Sequence, residues 1–69
     1  MTTIQITADP RFPTDRNALV ALVDGETVAS IRGNPASSSH LLETIERRIG
    51  RSLTEAELFA LAARETVQA

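Results

Sequence analysis

The chain has 69 residues, a formal net charge of −2 and no cysteine. At that length it reads as a single domain, 1–69, whose core supplies only about 3–5 kcal/mol of net stability, with no disulfide or thiolate metal site to reinforce it. The acidic balance gives no support to diffuse polyanion binding. All the basic residues are arginine, which suits bidentate pairing with carboxylate or phosphate and is equally the product of a GC-rich coding sequence. The N-terminal residues lack the apolar core of a secretion signal, and no stretch approaches a membrane span, so a cytoplasmic protein is expected.

In chain order, Thr3-Ile4-Gln5-Ile6-Thr7-Ala8 alternates polar and apolar residues, the pattern of a half-buried strand. Residues 9–17 hold Pro10, Pro13 and several turn formers, which predicts a loop with Phe12 plugging the end of the core. The loop is too short for a helical crossover, so the next strand should run antiparallel. Ala18 to Val23 is an unbroken apolar run, the mark of a strand apolar on both faces. A tight two-residue turn at Asp24-Gly25 or Gly25-Glu26 leads into a third strand, Thr27 to Arg32. Such a turn places Val20 and Leu22 on one face with Ala29 and Ile31, leaving Leu19, Ala21, Val23 and Val28 on the other.

Gly33 to Ser38 should close the sheet, with Ser37 to Ser39 offering caps for a helix over about 39–49. Leu41, Leu42, Ile45 and Ile49 give this helix one apolar face. Gly50 stops it. Thr54-Glu55-Ala56-Glu57 reads as a capping box flanked by Leu53 and Leu58, predicting a second helix from Glu55 to about Val67 that buries Leu58, Leu61, Ala62 and the stem of Glu65. The expected fold is α+β: a three-stranded antiparallel meander followed by an αα-hairpin packed on one face, in the order βββαα.

Catalytic equipment is sparse. His40 is the only histidine and there is no cysteine, so a zinc site lacks its usual ligands. A serine triad is not expected either, because the serines near His40 are its sequence neighbours Ser37 to Ser39 and no Gly-x-Ser-x-Gly elbow is present. The carboxylate pairs Glu43/Glu46 and Glu55/Glu57 have structural explanations, as a solvated helix face and as favourable charge at a helix N-terminus. The glycines form no phosphate-binding loop. No enzyme, cofactor, metal or small-molecule substrate is expected.

Two binding readings remain. A helix-turn-helix-like pair, 39–49 and 55–67, would carry Arg47, Arg48 and Arg51 near its bend as nucleic-acid contacts. Glu55 and Glu57 at the start of the would-be recognition helix argue against direct nucleic-acid binding. A protein partner, or a second copy in a homodimer, fits better: two helices cover one sheet face, and the apolar residues Leu19, Ala21, Val23 and Val28 on the other then need a cover.

In length, acidic charge and absence of catalytic residues the chain resembles the small inhibitors encoded by phages and mobile elements, anti-CRISPR proteins among them. That resemblance is one of character and not of motif. It implies a protein that blocks a nucleoprotein complex in the host cytoplasm, with Asp9, Asp15, Asp24, Glu26, Glu55 and Glu57 presenting phosphate-like charge. The segment from Asp15-Arg16-Asn17-Ala18 through Ala21-Leu22-Val23-Asp24-Gly25 is also similar to the opening hairpin of a bacterial family of unknown function, from which the helical half departs.

Overall fold

The structure is a computed structural model that describes residues 1–32 and 38–69. Three strands, β1 (Thr3–Ala8), β2 (Leu19–Val23) and β3 (Glu26–Ile31), are followed by α1 (Ser38–Ile49), α2 (Glu55–Ala62) and a short β4 (Val67–Gln68). The sheet is antiparallel in the order β3-β2-β1-β4. This is the expected α+β meander with its helical pair on one face. The expected connection over 33–37, with Ser37 as a cap, lies outside the described residues.

The β2–β3 turn is Asp24-Gly25, with φ of 52° and 80°. Both values are positive, as a tight hairpin turn of matching twist requires. The faces differ from the expectation because β3 carries a bulge. Ala21 pairs with Ala29 but Leu22 pairs with Thr27, leaving Val28 as an extra residue. One extra residue exchanges the faces of everything beyond it. Ala29 and Ile31 therefore lie with Leu19 and Ala21, and Val28 packs on that side too.

Both helices pack on this face. Ile4, Ile6 and Ala21 from the sheet meet Leu41, Ile45, Leu53, Leu61 and Val67 in one buried cluster. α1 lies over β3 and β2, and α2 lies over β1 and β4. The bend between the helices is set by Gly50, at φ 79°, and by Glu46, whose Oε2 accepts the Leu53 N–H at 2.7 Å. Thr54 then caps α2 as expected: its hydroxyl accepts the Glu57 N–H at 3.2 Å, and the Glu57 carboxylate accepts the Thr54 N–H at 2.9 Å.

α2 stops at Ala62 and does not continue to Val67. Arg64 takes φ 61°, and the N–H groups of Arg64 and Glu65 donate back to Leu61 and Ala60 at 3.0 and 2.9 Å. This is a Schellman ending built without the usual glycine. The residues beyond it gain more as a strand: Val67 enters the core beside Ile4, and Ala69 exchanges main-chain hydrogen bonds with Thr2. Glu65 and Ala62, expected to bury along the helix, are exposed.

Candidate protein-contact surface

The apolar residues nominated from the sequence are not on a free face. Ala21 and Val23 are 0% and 4% exposed, and Leu19 and Val28 pack against the core beneath the helices. The expectation fails because the bulge and the two helices make this face the floor of the core. The opposite face carries Thr3, Gln5, Thr7, Thr27 and Ser30 by register around the apolar pair Val20 and half-buried Leu22. Of these two, Val20 is buried beside the loop that follows β1.

That loop is organised by Asp9, whose side chain is 1% exposed. Its carboxylate accepts the Arg11 main-chain N–H at 2.9 Å, Nε at 3.1 Å and Nη2 at 2.8 Å. These bonds hold the Asp9 carboxyl below its ordinary pKa. Phe12 does not plug the core. It is half-buried, with the Arg32 guanidinium 3.8 Å and that of Arg11 5.5 Å from its ring centre.

The other nominated acids are also held within the chain. Asp15 accepts the Asn17 N–H at 2.9 Å and pairs with Arg32 at 3.3 Å; Asp24 accepts the Thr3 N–H at 2.9 Å. Glu26 pairs with Arg48 at 2.8 Å. Glu57 receives both terminal nitrogens of Arg51 at 2.9 and 2.8 Å besides its capping bonds, which pulls its pKa down to about 2. Asp24 and Glu55 are the two of the six that are exposed with no ion pair among the described residues, and Asp24 still accepts the Thr3 N–H.

The same ion pairs weigh on the nucleic-acid reading. Arg48 and Arg51 are engaged by Glu26 and Glu57, which leaves Arg47 as the nominated arginine without an ion pair among the described residues. His40 is exposed on the first turn of α1. Among the described residues no cluster of histidine, aspartate and glutamate could hold a metal ion, and no helix is long and apolar enough to cross a membrane.

Surplus apolar surface does exist, but it lies on the helical layer. Of α2 only Leu61 is fully buried. Phe59 is 67% exposed and Leu58 36%. At 100° per residue Phe59 stands on the far side of the helix from Leu61, so the core cannot reach it. Beside it runs a groove of about 360 Å³ between the helices, with Ile6 and Leu19 as its floor, Leu42 and Leu58 along its sides and Arg64 at its rim. Leu58 and Ala62 line this groove, and Phe59 is the helical neighbour of Ala62 at i, i+3. Sequence reasoning missed Phe59 and Arg64. The signal was available, because Leu58, Phe59 and Leu61 cannot all face one side of a helix.

Comparison with known proteins returns no matching family, no matching curated protein and no matching solved structure.

Proposed function

We propose that the chain is a non-catalytic protein-binding module that docks through the exposed strip of α2 and the groove beside it. The observation that carries this reading is Phe59, a large aromatic side chain held 67% exposed on a capped helix, next to an apolar groove. Aromatic residues beside a concave apolar surface are the usual anchors of protein interfaces. A fixed helix also presents them at little entropic cost. If the partner is a nucleoprotein complex, as the resemblance to phage-encoded inhibitors implies, apolar docking supports the contact better than phosphate mimicry, because the nominated carboxylates other than Glu55 are engaged within the chain.

The test is site-specific photo-crosslinking in cells that make the protein natively. A photoreactive residue at position 59 should give a discrete covalent adduct, while the same residue at Thr7, on the sheet face away from the helices, should give none. Equal labelling from both positions, or none from either, would reject the strip as a contact surface.

A further inference from the structure

Resting on that reading, a further question is what kind of partner the strip fits, and the charges at its ends answer it. Glu55, Leu58, Phe59 and Ala62 recur at i, i+3, i+4 and i+7, forming a stripe on α2 that adjoins Leu61 along Leu58 at the groove and turns to solvent at Phe59. Glu55 stands at its N-terminal end. Arg64 stands just past its C-terminal end, its Nη1 3.4 Å from the Leu61 carbonyl, which keeps the guanidinium alongside the helix. Both are exposed, and neither is in an ion pair among the described residues. Elsewhere on the helical layer Arg48 and Arg51 have found carboxylates.

We propose that the strip takes a second copy of this chain, with the two α2 helices antiparallel across a two-fold axis. Phe59 and Leu58 of one copy then close over the same residues of the other, and Glu55 of each meets Arg64 of its mate. Such a contact is self-complementary, as a closed dimer requires. The opposite, parallel arrangement would set Glu55 against Glu55 and Arg64 against Arg64. Antiparallel packing also places the positive end of each helix dipole beside the negative end of the other. The small side chains of Ala62 and Ala63 let the helices approach closely, and Leu42 at the groove widens the contact. Edge-to-edge joining along β3, the other common route for such a sheet, is obstructed by the bulge at Val28, which breaks the two-residue repeat of the free edge. Glu65, exposed beside Arg64, leads away into β4.

An eight-residue helix is only about 12 Å long, so the interface is small and the dimer concentration-dependent. The experiment is sedimentation equilibrium on the full chain over a concentration series, with circular dichroism on each variant to confirm the fold. Wild type should dimerise, and Phe59→Ser should weaken the dimer more than about 100-fold, since two central aromatics are lost. Glu55→Arg and Arg64→Glu should each weaken it about tenfold by setting like charges together twice. An equimolar mixture of those two variants should recover the affinity as a heterodimer, because every end contact is then attractive. A wild type that stays monomeric throughout, charge variants that dimerise as well as wild type, or a mixture no tighter than its components would overturn the proposal. A monomeric wild type that still gives a cellular adduct of a different protein from position 59 would remove the second copy and keep the contact surface. Loss of that adduct as well would remove both.

Discussion

The two helices divide their apolar residues differently. In α1, Leu41 and Ile45 are buried and Leu42 and Ile49 are half-buried, while Glu43, Arg47 and Arg48 face water. α2 is shorter and apolar nearly all round, yet buries only Leu61. The first is built for the core. The second buries Leu61, packs Ala60 partly against the core and leaves Leu58, Phe59 and Ala62 exposed. A contiguous exposed apolar patch, unlike a lone exposed apolar residue, is the kind of surface that contact sites use, which is the reading proposed for α2.

The contrast is broken most severely from inside. Ile45→Ala and Leu61→Ala should each cost about 2–5 kcal/mol, comparable with the whole stability of so small a domain, and urea denaturation should find both chains largely unfolded. If Leu61→Ala were mild, α2 would not be anchored by the core at all.

Acid should loosen α2 before α1. Glu57 has its pKa lowered from 4.5 to about 2, mainly by Arg51 and then by the Thr54 N–H. Its contribution is complete above the unfolded value of 4.5 and is lost as the pH falls from there toward about 2. Glu57→Gln should flatten the decline of the urea midpoint in that window. An unchanged slope would mean that other carboxyls carry the acid sensitivity.

Two smaller changes act on the ends of α2. Thr54→Ala removes the hydroxyl of the capping box and should cost about 1 kcal/mol in the same denaturation assay. Arg64→Gly should raise stability by about 0.5–1 kcal/mol, because glycine adopts a positive φ without the penalty a side chain incurs. The same change should weaken self-association by removing the cation. Opposite signs in the two assays would separate folding from docking at a single position.

The smallest effect on folding should come from the largest exposed side chain. Phe59→Ser should change stability by less than about 0.5 kcal/mol, as substitutions away from the core do. A substantial loss would show that Phe59 serves the monomer and that α2 resembles α1 after all.

Features fixed by neighbours in sequence were legible in advance. The alternation of β1, the Asp24-Gly25 turn, the end of α1 at Gly50 and the capping box at Thr54 each depend on residues within a few positions of one another. What was not legible depended on distant partners. The bulge at Val28 has no compositional mark, since Thr27, Val28 and Ala29 suit either register, yet it decides which face the third strand gives to the core. The end of α2 lacks its customary glycine, and Val67 becomes a strand residue only because the edge of β1 is there to receive it. Asp9 covering the second apolar face through Arg11 belongs to the same class. The apolar face nominated from the sequence was misplaced for that reason: the helices cover Leu19, Ala21, Val23 and Val28, and the loop after β1 lies beside Val20.

The pairing of β4 with β1 sets the order in which the molecule can come together. The hairpin and both helices need only local contacts and can form on the microsecond scale. Thr2 and Ala69, by contrast, must meet across the length of the chain before Val67 can seal the core beside Ile4. Closing so long a loop is an entropic cost met only at the end, and it should make this protein fold more slowly than a helical bundle of its size. During synthesis the edge of the core beside Ile4 stays unsealed until β4 has left the ribosome.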